Sequence, residues 1–304
     1  MAAFLGHVSG DPDGIARRLE LGEILFADGE VVTGSTPFRG GDAVYLYRDL
    51  PPEVPVPGVV RVLRHDEATG LLAVDKPPFL ATMPRGQHVQ ETVLTRVRRE
   101  LDLPEAAPIH RLDRLTSGVL LLTTRREARR PYQEMVTAGG LEKTYEALAP
   151  LREGLPMTVR NRIVKQRGSL QAEVVPGQVN AHTELALVDR VVHGGRDVGR
   201  YRLRPITGKT HQLRVHLATL GIPICGDPLY PTVVDVDPGD FTTPLQLLAT
   251  TVRFDDPVSG ERREIHSRRT VPLGPLTAET ARSKVRFRRR GECFRDRGAA
   301  PRLW

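Results

Sequence analysis

Residues 110–122 read HRLDRLTSGVLLL, a charged segment that passes through a Thr-Ser-Gly turn into a run of apolar residues. This pattern predicts a loop at the edge of a buried strand, where catalytic side chains are often found. Asp113 lies between Arg111 and Arg114, and nearby positive charge keeps a carboxylate ionised against the desolvation that would protonate it. On its own, the triplet also fits a solvent-exposed Arg-Asp pair at a strand entrance. Further motifs must separate the two interpretations.

Two such motifs follow in the same chain. Residues 143–147 read KTYEA, and residues 204–217 read RPITGKTHQLRVHL and lead into GIPICGDPLY at 221–230. Together with the first stretch, they resemble the ordered motifs of the RluA-type pseudouridine synthases. An earlier segment, VDKPPF, is similar to the VxKPxG motif of that family, although Met83-Pro84 stands where a His-Pro is common.

The resemblance implies an RNA-modifying isomerase that needs neither cofactor nor metal. It implies Asp113 as the essential carboxylate, Tyr145 as the residue that stacks on the target base, and Arg214 as a bidentate partner that holds Asp113 ionised. The route that Asp113 takes stays open: it attacks the sugar, adds to the ring or removes a sugar proton. The residues predicted to contact RNA are His110, Arg111, Thr116, Lys143, Lys209 and His211.

The hydrophobic pattern predicts an α+β fold with a mixed, mostly antiparallel sheet, because strand-like segments outnumber helical ones. The resemblance implies that this sheet is of the pseudouridine synthase type, with a central cleft. Helices are expected over 91–101, 126–138 and 209–220. Short strands are expected over 22–25, 29–32 and 41–46, and further strands over 59–63, 71–76, 144–149, 157–165, 170–175, 183–192, 200–206 and 245–254. In the strand at 200–206, Tyr201 and Leu203 alternate with arginines, which predicts one face in the core.

Four regions are expected along the chain. Residues 1–50 form a small N-terminal unit, similar to part of a ribosomal-protein-type RNA-binding domain, and it either binds RNA or serves as a packing appendage. Residues 51–58 are rich in proline and predict a stiff linker. A catalytic domain spans 59–275. The arginine-rich tail at 276–304 either adds phosphate affinity or is a solubilising end.

Composition favours a polyanionic partner. The net charge is +7, with 44 Lys and Arg residues, although an arginine-rich composition can also reflect coding bias. Aromatic residues make up only 5%, which argues against a broad base-stacking platform and for a structured rRNA or tRNA stem-loop. We expect no membrane partner, because no apolar run approaches the length of a span. The motifs need no second subunit, so a cytoplasmic monomer is expected.

Three other interpretations were weighed. A zinc site at His110, His211 and His216 is disfavoured, because no carboxylate or cysteine completes a recognisable spacing. A noncatalytic RNA-binding or ribosome-assembly protein would keep the fold but has no need of the Asp113 motif. A hydrolase would need a second acid beside Asp113, and Asp227, in a Gly-Asp-Pro turn, is expected to be structural.

Overall fold

The computed structural model describes residues 2–9, 11–46, 52–86 and 88–275, so the predicted basic tail lies outside the described residues. The chain divides into two compact units, Met1–Pro52 and Glu53–Trp304. Within the described ranges, the helices are all too short or too polar to cross a membrane.

The first unit consists of a helical pair and a short hairpin. Its elements are α1 (Ala2–Ser9), α2 (Pro12–Glu20), β1 (Ile24–Phe26) and β2 (Val44–Leu46). Helix α2 begins where it does because the Asp11 carboxylate accepts the N–H of Gly14 and caps its first turn. Helix α1 was not predicted. The strand expected at residues 29–32 is reduced to a single bridge between Leu25 and Val31.

The second unit is built around one large sheet. Its described elements are β3 (Arg61–Asp66), β4 (Leu71–Lys76), α3 (Val93–Glu100), β5 (Ala107–Pro108), β6 (Ser117–Thr123), α4 (Arg126–Thr137), β7 (Glu142–Pro150), β8 (Thr158–Val164), β9 (Glu173–Val175), β10 (Ala181–His193), β11 (Arg196–Pro205), α5 (Gln212–Thr219), β12 (Leu247–Asp255) and β13 (Arg262–His266).

The sheet has eleven strands among the described residues, in the order β3-β4-β6-β12-β7-β11-β10-β8-β9, with β5 beside β6 and β13 beside β12. The β6–β12 pair is parallel, and the other neighbours run antiparallel. The predicted α+β class with a mixed, mostly antiparallel sheet is confirmed. Strands β5 and β13 were not predicted.

Burial along the strands follows their sequence patterns. Every residue of β4 and β6 is buried, as expected of continuous apolar strands that are covered on both faces. In β11, Tyr201 and Leu203 are fully buried while Arg202 is exposed, which confirms the predicted alternation. Gly118 has a φ of 110°, and a Cβ there would lie 2.2 Å from the carbonyl oxygen of Ala249 in β12. The Thr-Ser-Gly turn therefore needs its glycine for the close parallel pairing of β6 with β12.

Two of the three predicted helices are confirmed and the third is shorter. Helix α4 ends just before Gly139, which adopts the expected left-handed conformation with φ of 78°. Helix α5 was predicted to start at residue 209 but begins at Gln212. The Gln212 side chain explains the difference, because its oxygen accepts the Lys209 N–H and the Thr207 hydroxyl and so holds 207–211 as a loop.

The predicted linker at residues 51–58 is not a free spacer. The Glu53 carboxylate accepts the backbone N–H groups of residues 89–91, and Arg96 of α3 donates to the carbonyl oxygens of Val56 and Gly58. Composition predicted an extended segment, but its backbone groups find partners in the second unit and fix it there.

Candidate active site

A cavity of about 160 Å³ opens between the loop before β6, strand β7 and the loop before α5. Of the nine residues predicted to form the site, eight line it: Arg111, Asp113, Thr116, Lys143, Tyr145, Lys209, His211 and Arg214. Asp113 is the single carboxylate among the described residues of this lining, which also includes four lysines and arginines. The three sequence motifs thus converge on one cationic pocket around one acid.

The backbone on both sides of Asp113 is held from the end of β4 and the loop after it. The Thr82 hydroxyl donates to the Leu112 carbonyl oxygen at 2.7 Å and accepts the Leu112 N–H at 3.2 Å. The Lys76 ammonium donates to the Arg114 carbonyl oxygen at 3.0 Å and to two carbonyl oxygens of its own loop. Burial of Lys76 lowers the pKa of its ammonium well below the ordinary value.

The carboxylate of Asp113, in contrast to the backbone around it, accepts no hydrogen bond from any described residue, and the side chain is 24% exposed. The nearest basic atom is Nε2 of His211, 3.9 Å from Oδ2. Tyr145 of β7 is buried beside it, and its hydroxyl makes no hydrogen bond within the described chain. Burial and then the charge of Asp113 raise the pKa of Tyr145, so this side chain is a neutral phenol at pH 7.

The predicted contact between Arg214 and Asp113 is wrong. Arg214 binds Asp227 instead, with Nε 2.7 Å from Oδ2 and Nη2 2.5 Å from Oδ1. Oδ1 of Asp227 also accepts the N–H groups of Leu229 and Tyr230. The side chains of Arg214 and Asp227 are only 2% and 0% exposed, and a buried guanidinium needs a carboxylate that is buried with it. Asp113 lies on the open side of the pocket and does not meet that need.

His211 connects the two carboxylates through Tyr230. The residue begins α5 with a φ of 57°, and its Nδ1 lies 3.0 Å from the Tyr230 hydroxyl. The tyrosine ring lies 5.2 Å from the Arg214 guanidinium, a cation–π distance. Burial lowers the pKa of His211, against the opposing charge of Asp113, so the ring is neutral at pH 7. The Tyr230 hydroxyl also accepts the Ala172 N–H and donates to the Ala172 carbonyl oxygen, so it ties His211 to the segment around Ala172.

His110, which was predicted to contact RNA, does not line the cavity. Its Nε2 accepts the N–H of Leu121 in β6 at 3.2 Å, so the unprotonated nitrogen is committed to the sheet. Burial lowers the pKa of His110 to about 3, which agrees with an imidazole that must stay neutral to accept this bond. His110 therefore anchors the loop in the described structure, and its predicted contact with RNA stays a prediction.

Three residues that support the site were given no role from the sequence: Lys76, Gln212 and Tyr230. Asp227 was expected to be structural, and its buried pair with Arg214 agrees with that. Lys76 ends a strand that is otherwise almost wholly apolar, which could have marked it as a buried anchor. Gln212 joins the 207–211 loop to β10, because its amide nitrogen donates to the His182 carbonyl oxygen and to the Thr183 hydroxyl. No group of three His, Cys, Asp or Glu side chains in the described ranges is arranged as metal ligands would be.

Sequence comparisons place these residues among known proteins. A family model described as RNA pseudouridylate synthase matches residues 70–219. Pseudouridylate synthase RPUSD2 of Homo sapiens is 33% identical over 222 residues, which cover 72% of this chain and 38% of the human protein. An uncharacterized RNA pseudouridine synthase of Chloroflexus aurantiacus is 33% identical over 229 residues, which cover 71% of this chain and 69% of that protein. The dual-specificity RNA pseudouridine synthase RluA of Escherichia coli is 30% identical over 174 residues, 53% of this chain and 73% of that protein.

The fold is also found among solved structures. Human RNA Pseudouridylate Synthase Domain Containing 1 superposes with a TM-score of 0.57 at 23% sequence identity, covering 72% of this chain and 86% of that chain. Human RNA Pseudouridylate Synthase Domain Containing 4 superposes with a TM-score of 0.51 at 23% identity, covering 69% and 88%. At this identity the likeness shows that the architecture is shared.

Proposed function

The chain belongs to the RNA pseudouridine synthases, a family of isomerases, and on that premise we propose that it converts specific uridines of structured rRNA or tRNA to pseudouridine, with Asp113 as the catalytic carboxylate. The names of two relatives point to these substrates: the relative from Saccharomyces cerevisiae is a mitochondrial tRNA pseudouridine(32) synthase, and that from Escherichia coli is a dual-specificity RNA pseudouridine synthase.

One observation carries the proposal. Asp113 presents a carboxylate that accepts no hydrogen bond from the described residues to a pocket whose other charged side chains are cationic or can become so. A carboxylate with a purely structural role is expected to be hydrogen-bonded, as Asp227 is. The lining also argues against a glycosidase-like hydrolase, because that chemistry requires a second acid beside the first.

The reaction explains why a single acid suffices. The bond between ribose C1′ and uracil N1 breaks, the base turns, and C5 bonds to the same C1′; a proton leaves C5 and N1 gains one. The uridine and its product therefore have the same atoms and oxidation state, and no cofactor is consumed. Asp113 supplies the charge beside the sugar, whichever of its three routes it takes. Tyr145, a buried phenol, stacks on the freed base and relays the C5 proton rather than binding it as a phenolate.

A cavity of about 160 Å³ admits one nucleobase, so the target uridine must leave its stack to reach Asp113. Arg111 is exposed at the rim, where it can fill the gap left by the flipped base. Lys143, Lys209 and the Thr116 hydroxyl are placed for contacts with phosphate or base at the same rim. His211 completes the RNA-facing set, and we propose that the protein acts as a cytoplasmic monomer.

Tritium release tests this function. Large-subunit rRNA and tRNA transcripts that carry label at uridine C5 are incubated with the wild type and with Asp113→Asn. The proposal expects release from at least one RNA by the wild type and none by the variant. If both proteins bind RNA with equal affinity and neither releases label, the protein is a noncatalytic RNA binder. Accumulation of free uracil in place of pseudouridine would identify a hydrolase.

A further inference from the structure

A second cavity lies beside the catalytic loop. Its volume is about 280 Å³, and its walls include Arg114 from the loop, Phe79, and several residues of the segment 226–243. The linings of the two cavities have no described residue in common. The buried ion pair contributes one side chain to each, Arg214 to the first cavity and Asp227 to the second. The two cavities are therefore adjacent and share a rigid boundary.

Arg114 brings an unpaired positive charge to this second cavity. Its side chain is half-buried, and its guanidinium makes no hydrogen bond or ion pair with the described part of the chain. Its basic neighbours are Lys76, His88 and Arg214. A guanidinium keeps its charge at pH 7, because its pKa is too high for deprotonation. No carboxylate of the described chain pairs with it, and in a protein that acts on RNA the anion at hand is a phosphate.

The wall facing this charge is apolar. Phe79 holds a left-handed φ of 65°, and its ring packs edge-on against Phe241 at a centroid distance of 5.4 Å. Val234 and Val236 line the same cavity and remain 56% and 43% exposed. Phe79 is only 6% exposed, so the apolar surface that a nucleobase can reach is formed by Val234 and Val236.

Two carboxylates complete the cavity. Asp237 uses Oδ1 to accept the Gly239 N–H, and Asp240 uses Oδ1 to accept the Thr242 N–H and hydroxyl. The Oδ2 atom of each carboxylate makes no hydrogen bond with the described residues. Carboxylate oxygens bind the amino groups of nucleobases, such as N4 of cytosine. The cavity thus offers a cation, an apolar surface and two hydrogen-bond acceptors, which match the phosphate, the ring and the amino edge of a nucleotide.

We propose that this cavity binds the nucleotide next to the flipped uridine in the RNA strand, with its phosphate on Arg114 and an amino-bearing base (cytosine, adenine or guanine) facing Asp237 and Asp240. Asp113 and Arg114 are consecutive, with Cα atoms about 3.8 Å apart, so neighbouring cavities serve neighbouring nucleotides. The cavity then selects the target uridine by recognising the base of the neighbouring nucleotide. This inference rests on the proposed function, because it takes the first cavity to hold a uridine.

A binding selection tests the inference without turnover. Asp113→Asn is incubated with an RNA stem-loop pool in which the positions flanking one loop uridine are randomised, and the bound fraction is sequenced. We expect uracil to be depleted about tenfold at one flanking position. The added pair Asp237→Asn and Asp240→Asn should reduce that depletion to less than twofold, because asparagine keeps Oδ1 for the turn but presents an amide in place of the charged acceptor. Asp235→Asn, an exposed carboxylate of the same segment outside the lining, is the matched control and should leave the depletion unchanged.

The phosphate contact is tested separately. A methylphosphonate at the phosphate between the two nucleotides should weaken RNA binding by wild type about tenfold and binding by Arg114→Gln less than twofold. Equal losses in both proteins, or no base preference at either flanking position, would overturn the inference. Melting temperatures within a few degrees of wild type confirm that the variants fold. If tritium release fails while the base preference is found, the proposed function is wrong and the binding cavity stands.

Discussion

Asp113 and Asp227 lie in two segments, one before and one after Arg214 in the chain, and their carboxylates have opposite environments. In the loop before β6, the backbone around Asp113 is fixed by Thr82 and Lys76, while the carboxylate accepts no hydrogen bond within the described chain. In the turn after α5, the Asp227 carboxylate accepts four hydrogen bonds and is fully buried. A carboxylate that reacts needs a rigid main chain and oxygen atoms that are free of hydrogen bonds. A carboxylate that supports the fold needs its oxygen atoms hydrogen-bonded.

The largest effect on either aspartate is expected from Asp113→Asn. The amide cannot attack, add to the base or take a proton, so we expect kcat to fall by about 10⁴-fold or more, about 5 kcal/mol in activation free energy. Stability should change little, because the carboxylate has no protein hydrogen bond to lose. Single-turnover conversion and thermal melting of the same preparations measure both effects. A large drop in melting temperature would show that Asp113 has a structural partner in solution.

Asp227→Asn should show the opposite pattern. The variant leaves a guanidinium that is 2% exposed without its counter-charge, and we expect it to lower the free energy of unfolding by about 3–5 kcal/mol. Urea denaturation measures this loss. Replacing both partners, with Arg214→Met and Asp227→Leu, should recover part of the stability, because no buried charge then remains. A loss below about 1 kcal/mol for Asp227→Asn would mean that the pair is solvated in solution.

The difference between the two aspartates also marks what sequence can predict. Asp113 was singled out because its motif is local, and most strands were predicted because their burial alternates along the chain. The partner of Arg214 was not found, since Asp227 is brought to it by a turn whose geometry depends on the packed sheet. Lys76 and Arg114 are 38 residues apart, and their contact exists because β4 and β6 pair side by side. Local sequence periodicity does not reveal such long-range pairings. These pairings decide which carboxylate remains free of hydrogen bonds.

The anchored side of the Asp113 loop should respond to pH. His110 has a pKa of about 3 in the folded protein and about 6.5 when unfolded, so below pH 6.5 the unfolded chain binds a proton that the folded chain does not. Stability should therefore fall as the pH is lowered, by about 2 kcal/mol between pH 7.5 and 5 from this group. Denaturant titrations of wild type and His110→Gln measure the difference. Glutamine can still accept the Leu121 N–H but does not titrate, so the variant should lose this part of the slope. The exposed His7, changed to Gln, is the control variant, and it should keep the pH slope of the wild type.

The smallest effect concerns the link between the two carboxylates. Tyr230→Phe keeps the ring beside Arg214 but removes the hydroxyl that contacts Nδ1 of His211 and the Ala172 backbone, so His211 should be held less firmly beside Asp113. We expect kcat to fall about tenfold while RNA affinity changes less than twofold, because the lost contact positions the carboxylate rather than the RNA. Tyr132→Phe is the matched control, since it removes a buried hydrogen bond to Asp256 far from the cavity lining. If both variants lose stability alike and neither changes kcat, Tyr230 serves only packing. If Tyr230→Phe weakens RNA binding instead, His211 contacts the substrate directly, and the free carboxylate of Asp113 is oriented by the RNA.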